Sequence, residues 1–379
     1  MDQSLQIKLL EELRGLGADG DFFMGEAVHR SPVERYTSAA RFEAEMEHVF
    51  RALPMVAAHS SELAEPGSYL TLSLAGLPVL LTRDKSGSAN AFLNVCRHRG
   101  ARLVGDPQGC KKAFSCPYHG WTWDAAGQLR GVPHEKDGFP ALDRSQYGLR
   151  RLPMVERFGL IWVVPDTEAD FDFDSFLDPL ETDFDWLGMS GMVVAESEQD
   201  TYEANWKLLA EGGIEAYHFR ITHRDTIGPH FMDNLSSYQM LGPHMRSILP
   251  RTSIETLEQL PREAWSIREH ANVLYTLMPS DQFLLMQDHV AWIHAEPLSA
   301  SRTALRIATL VPAEDFSPER AGHWTRNHAI TKMTLDEDFE VNQAVQSGLN
   351  SGANTELTFG RFESALHRFN TDIEARLPG

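Results

Sequence analysis

Hydrophobic and polar positions follow three textures along the chain. Residues 1–44 open on MDQSLQIKLLEELRGL, whose apolar residues recur at helical spacing among charges, so a helix and a connecting loop are expected there. From about 45 to 165 the spacing shortens to strands: SYLTLSLAGLPVLLTRD, ANAFLNVCRH, AFSCPYHGWTW and GLIWVVPD, separated by Gly, Pro and Asn/Asp turns. That texture predicts a small antiparallel β domain. The acidic, aromatic run DTEADFDFDSFLDPLETDFDW (166–186) reads as a linker. Beyond it come a helical stretch, EANWKLLAEGGIEAYHF, strand-like segments such as NVLYTLMPSDQFLLMQDHVAWIHAEPL and TALRIATLVPA, and two closing helices at about 319–349 and 357–377. The fold class expected is therefore α+β, in three parts: 1–44, 45–165 and 166–379.

The chain has 379 residues, which suits two domains, and its net charge of −20 disfavours a nucleic-acid or anionic-membrane partner. No run of about 18 apolar residues and no signal-peptide core occurs, so a cytoplasmic protein is expected. The three cysteines, an odd number within one segment, argue against disulfides and for thiolates that bind metal in a reducing compartment. Arg97, Arg99, Arg102, Lys111 and Lys112 crowd the same segment. They are either a solvated basic face or a docking patch for an acidic electron donor.

Cys96-Arg97-His98 and Cys116-Pro117-Tyr118-His119 form C-x-H and C-x-x-H, with seventeen residues between. Unligated core residues and a structural Zn²⁺ are two readings of four such side chains. Zinc fingers, however, pair Cys with Cys and His with His at each knuckle, whereas both knuckles here are mixed. Mixed loops suit a Rieske [2Fe–2S] centre, which needs two Cys on one iron and two His on the other. Cys110, left over between the pairs, reads as an inert free thiol.

A second candidate site lies downstream. In NWKLLAEGGIEAYHFRITHRDT, His218 and His223 are five apart and would diverge by about 140° on a continuous helix. They can share a metal only if the helix ends between them, for which the β-branched pair Ile221-Thr222 is a candidate. Glu215, three before His218, would share its helix face. Two unrelated histidines are the alternative. A carboxylate as third ligand would leave positions free for O₂ on Fe(II). Of the acids in TLDEDFEVNQAVQSGL, Asp338 is centred on the stripe Leu335, Val341, Asn342, Val345 and Leu349, with Glu337 at its edge and Asp336 and Glu340 turned away. A solvated acidic helix start accounts for the other three acids and poorly for Asp338.

Cys/His loops followed by E-x-x-H-x-x-x-x-H and a late inward Asp resemble the catalytic α subunit of Rieske non-haem iron oxygenases, the aromatic-ring-hydroxylating oxygenases, from about Phe42 to the C-terminal helix. The resemblance implies Cys96, His98, Cys116 and His119 as ligands of one [2Fe–2S] cluster, and His218, His223 and Asp338 as ligands of one mononuclear Fe(II). It implies an antiparallel β Rieske domain, and a helix-grip (START-like) catalytic domain with a central antiparallel sheet. It also implies Glu215 as an acid that links the two centres across a subunit interface. The partners implied are O₂, a small organic substrate, and a reductase, a ferredoxin or both carrying electrons from NAD(P)H. The implied assembly is a homotrimer, with α3β3 as the variant. Ring-dihydroxylating members usually carry Asp where Glu215 stands, and the Glu resembles the branch that oxidises quaternary amines; Gly212 stands where many relatives have Asn. Hydroxylation or dihydroxylation of an aromatic or small organic substrate is the main expectation, with N- or O-demethylation or quaternary-amine monooxygenation as the alternative. A non-catalytic Rieske electron carrier is the rival from another class, and a zinc-stabilised binding protein a third. Trp292, Phe283 and Met286 are read equally as core or as pocket.

Overall fold

The computed structural model describes residues 1–378. Two compact units emerge, one of residues 50–173 and one of residues 1–49 together with 174 onward.

In residues 50–173, alternating side chains build three small antiparallel sheets. One holds Ala89–Leu93, Leu77–Arg83, Ser68–Leu74 and Gln108–Cys110, in that order; another holds Ala113–Ser115, Thr122–Asp124 and Leu129–Gly131. The third pairs Met154–Arg157 with Leu160–Val163, which also pairs with Met55–His59. Tyr69, Leu80, Phe92, Phe114, Trp121 and Trp123 form a core shared by the first two sheets, and Cys96 and Cys116 belong to the same cluster.

The other unit is built on a seven-stranded antiparallel sheet. Its order is Met192–Tyr202, Arg302–Pro312, Val290–Ser299, Asp281–Leu285, Ala271–Leu277, His244–Pro250 and Ser237–Leu241. The 30-residue helix Ala321–Asn350 lies against it. Phe339 of that helix packs with Tyr202, Ile293, Leu305 and Ile307 of the sheet and with Leu209 of the helix Trp206–Ile214. Trp292 and Phe283 are buried and stacked on each other, which makes them core.

Three expectations are corrected. The acidic run is not a linker beyond residue 173. It holds helices Phe173–Leu177 and Glu181–Leu187, joined by the 3-10 turn Asp178–Leu180, and together they bury Phe176, Leu177, Leu180, Phe184 and Leu187. Its Asp183 is buried too, paired with Arg246 and accepting from the Tyr275 hydroxyl at 3.0 Å. The closing helix is shorter than 357–377. Glu356–Phe359 is a strand paired with His29–Pro32, and the helix begins only at Ser364 after Gly360. Finally, Val341 is exposed. The buried row of the long helix runs Trp324, His328, Thr331, Phe339, Gln346, Leu349, and Asp338 flanks it.

The Trp206–Ile214 helix is anchored by an ion pair without solvent access. Lys207 Nζ donates to both oxygens of Glu45 at 2.7 Å, while Trp206 Nε1 and Arg41 Nε donate to the same carboxylate. Burial pushes the Lys207 amine down, and Glu45 opposes that. Removing one member strands the other charge. Glu45→Ala is therefore expected to destabilise the folded protein by about 3–5 kcal/mol in urea unfolding, and Glu45→Leu with Lys207→Met by clearly less. An equal loss for the double variant would show that charge desolvation is not what the pair governs.

Candidate metal centres

The loops around Cys96 and Cys116 close in the same way. Cys96 N donates to Ala101 O at 2.8 Å and Gly100 N to Cys96 O at 2.9 Å; Cys116 N donates to Trp121 O at 2.7 Å and Gly120 N to Cys116 O at 2.9 Å. Gly100 and Gly120 sit at φ +73° and +72°, the left-handed region that a side chain would resist, and each reverses its loop directly after the histidine-bearing segment. Both cysteines are buried and free. Burial pushes the Cys96 thiol up and the adjacent Cys116 adds to this, while the backbone N–H groups of His98 and Arg99 pull it back. Those amides are aimed at a sulfur that would carry charge.

The two rings also meet. His98 and His119 stand 4.7 Å apart between centroids, and His98 lies flat on Trp121 at 4.8 Å. His98 Nδ1 is buried with no hydrogen-bond partner among the described residues. Burial, then His119 and Arg99, pushes its pKa down, keeping a lone pair free. Thiol against thiol and imidazole against imidazole is the segregated set that a two-iron centre requires. His119 is exposed, so the imidazole edge opens to the surface. Cys110 stands outside the set, on the strand Gln108–Cys110, with its sulfur 3.9 Å from Pro66 O. Of the basic cluster, Lys111 is paired with Asp106 and Arg99 lies over the Tyr118 ring.

In the other unit the structure brings His218, His223 and Asp338 together, with one ligand atom of each within 4.8 Å of the others. The local backbone differs from the expected helix. The helix ends at Ile214, and Glu215 is extended (φ −120°, ψ 164°). A single helical turn, Phe219–Thr222, then runs between the histidines, with His218 at its start and His223 at its end. The helix therefore breaks before His218 and not at Ile221-Thr222. Glu215 reaches His218 from a turn instead of a shared helix face: one oxygen accepts from the backbone N–H groups of Tyr217 and His218, the other from His218 Nδ1. Gly228 seals the turn by donating to His223 O at 2.9 Å. A Cβ there would come within 2.8 Å of the carbonyls of Phe219 and His223.

Two carboxylates on the far side orient the rings. His218 Nδ1–H donates to Glu215, and His223 Nδ1–H donates to Glu337 at 2.6 Å, where the Thr226 hydroxyl also donates at 2.7 Å. Both Nε2 atoms thus face Asp338 Oδ1, at 3.3 Å and 3.0 Å. Neutral histidines would present two lone pairs to a carboxylate, an arrangement that only a cation relieves. Without one, protons substitute. Burial would lower His218, but Asp338 and Glu215 outweigh it and raise it to about 10. Burial likewise opposes, and the carboxylates raise, His223; burial would lift Asp338, and the two histidines hold it below the ordinary carboxylate range. The donor set fits a 2-His-1-carboxylate iron site.

The other acids are otherwise engaged. Asp336 pairs with Lys332 and accepts from the Tyr202 hydroxyl at 2.8 Å. Glu337 is the residue whose role sequence reasoning missed; a second acid beside the proposed ligand, at the edge of the same face, was the available signal. Gly212 lies beneath the site: a Cβ there would stand 3.6 Å from Asn342 Nδ2 and 3.8 Å from Asp338 Cβ.

Comparison with known families decides the identity. Residues 189–379 match the ring hydroxylating alpha subunit (catalytic domain), and residues 54–153 the Rieske [2Fe-2S] domain. The chain belongs to the ring-hydroxylating alpha subunit family. A Rieske cluster and a mononuclear iron are the cofactors that these two domains imply. Relatives of this alpha-subunit chain include the chlorobenzene dioxygenase subunit alpha of Cupriavidus sp. (strain PS12), 35% identical over 52% of this chain and 45% of the relative. Another is the anthranilate 1,2-dioxygenase large subunit of Acinetobacter baylyi, 29% identical over 54% and 44%. The alignments span somewhat under half the length of these curated relatives. Among solved structures, the quaternary ammonium Rieske monooxygenase CntA shares the fold with TM-score 0.79 and 22% identity, over 93% of this chain and 96% of that one. Naphthalene 1,2-dioxygenase from Rhodococcus sp. does so with TM-score 0.75 and 19% identity, over 97% of both chains.

Glu337→Ala is expected to weaken iron binding at the His/Asp site by about 10–100-fold, because it frees the ring of His223. Asp336→Ala should leave iron content unchanged, and titration of apo-protein with Fe(II) separates the two. Equal losses would refute the division of labour between these neighbouring acids.

Proposed function

We propose that this chain is the oxygenase component of a multicomponent Rieske non-haem iron oxygenase. Electrons originate in NAD(P)H and arrive through a separate reductase, a ferredoxin or both; O₂ is used to hydroxylate or dihydroxylate an aromatic or small organic substrate. The observation that supports this reading is that two clusters of candidate donors with different chemistry occur in one chain. Cys96 and Cys116 would hold one iron of the cluster and His98 and His119 the other. His218, His223 and Asp338 would hold Fe(II). When bound, the cluster supplies single electrons and the iron activates O₂.

The protein's own part is positional. Glu215 and Glu337 keep the protons of His218 and His223 on Nδ1, so both Nε2 lone pairs stay available. A cavity of about 770 Å³, walled by the segment after His223 and by the turn of the long helix before Asp338, offers the organic substrate a largely apolar enclosure. The assembly proposed is a ring of three chains in which each cluster serves the iron of the next. Glu215 would then hold a cluster histidine of one chain and His218 of the other.

His98→Ala or His119→Ala is expected to abolish the Rieske EPR signal, and an unchanged g-tensor would sink the cluster assignment. His218→Ala, His223→Ala or Asp338→Ala should lower iron from about three to about two per chain and leave that signal intact.

Co-assembly of His98→Ala with His218→Ala chains should restore part of the oxygen uptake, since some interfaces pair an intact cluster with an intact iron. Adding Glu215→Ala to both chains should remove the rescue. Mixed trimers, confirmed by native mass spectrometry, that show no turnover would refute the inter-subunit route.

A further inference from the structure

The cavity walled in part by Ile227 and Leu335, which follow His223 and precede Asp338 in the chain, is mostly apolar, with Phe231, Leu284, Met286 and Ile330 on its walls, yet it also holds an arginine. Arg251 follows the strand His244–Pro250, and its guanidinium donates through Nε and Nη2 to Asn272 Oδ1, at 3.1 Å and 2.5 Å. No Asp or Glu oxygen of the described residues forms an ion pair with it, so the Nη1/Nη2 edge has no carboxylate partner. Burial pushes the guanidinium pKa down, and Glu269 opposes this only through space. A half-buried cation on the wall of a largely apolar cavity, with no acid in hydrogen-bond contact, favours an anionic ligand there.

A second observation points the same way. Thr331, on the same cavity wall, has a buried hydroxyl with no hydrogen-bond partner among the described residues. A cationic ligand finds little here. Phe231 is the one Phe, Tyr or Trp ring on the described wall, too few for the aromatic enclosure that quaternary ammonium groups favour, and Glu269, the one acid, is exposed at the rim.

We propose that the cavity selects an organic carboxylate, with the Nη1/Nη2 edge of Arg251 gripping the carboxylate and the apolar walls enclosing the remainder. The planar fork of guanidinium matches a carboxylate in two parallel hydrogen bonds. The inference rests on the oxygenase reading only in taking this cavity as the substrate site; the binding itself needs neither electrons nor O₂.

Isothermal titration of the purified holo-protein with matched probes tests it: 2-naphthoate, 2-naphthamide and trimethyl(2-naphthyl)ammonium, and the same three groups on a phenyl frame. In at least one frame the carboxylate should bind about 10–100-fold more tightly than the amide, and the ammonium more weakly still. Arg251→Gln should erase that preference and leave amide binding unchanged, and Arg251→Lys, which keeps the charge without the fork, should fall between. Equal binding of all three groups, the ammonium as the tightest, no anion-selective binding in either frame, or an unaltered preference in Arg251→Gln would each overturn the proposal. The wild-type comparison stands even if a variant fails to fold. Oxygen uptake without anion preference defeats this inference alone, whereas anion-selective binding in a protein that never consumes O₂ defeats the oxygenase reading alone.

Discussion

Three electron-pair donors converge on one small space, where their repulsion must be relieved by protons or a metal ion, and much of the surrounding unit is organised to hold them there. His218 Nε2, His223 Nε2 and Asp338 Oδ1 repel one another when unprotonated and unmetallated. They stay in place because Glu215 and Glu337 take the opposite ring nitrogens, and because each donor sits on a rigid element. Asp338 rides a 30-residue helix fixed to the sheet by Phe339, and the histidines bracket a single turn that Gly228 seals. The buried Lys207–Glu45 pair anchors the helix that leads into that turn. The chain's own contacts thus hold the three donors together, and in the absence of a metal protons on the histidines relieve their repulsion.

The β unit reaches the same end by backbone means. Its two Cys/His loops are short and irregular, so their shape comes from repeated closure: a glycine in the left-handed region returns its N–H to the cysteine carbonyl in each. At Cys96 the amides of His98 and Arg99 face the sulfur, and both thiols lie in an aromatic core while one histidine reaches the surface. Low dielectric on the sulfur side and exposure on the imidazole side suit a centre that exchanges electrons through its histidine edge.

Charge is distributed unevenly over the molecule. The chain is acidic overall, at −20, yet the cavity walled by Ile227, Phe231, Ile330 and Leu335 holds an arginine with no acid in hydrogen-bond contact. Overall charge governs long-range behaviour, whereas the few groups inside a low-dielectric cavity govern what it accepts. The overall fold is shared with CntA and with naphthalene 1,2-dioxygenase alike, so the scaffold by itself does not specify a ligand.

The candidate donor residues stand out in the sequence because metal chemistry restricts residue type and spacing. Mixed Cys/His knuckles have few other uses, and an acid near the apolar side of a helix needs a reason to be there. Alternating strands and the long helix were legible for a related cause, since periodicity records which face is buried. What the sequence concealed depends on partners remote along the chain. The acidic run at 173–187 folds as helices because the rest of its unit covers Phe176 and Phe184; Glu356–Phe359 becomes a strand because His29–Pro32 lies beside it. Glu215 meets His218 through a turn, Glu337 rather than a more distant acid secures His223, and Arg251 enters a cavity with Thr331 eighty positions away. No local pattern encodes such meetings, because tertiary packing alone decides which distant side chains share a wall.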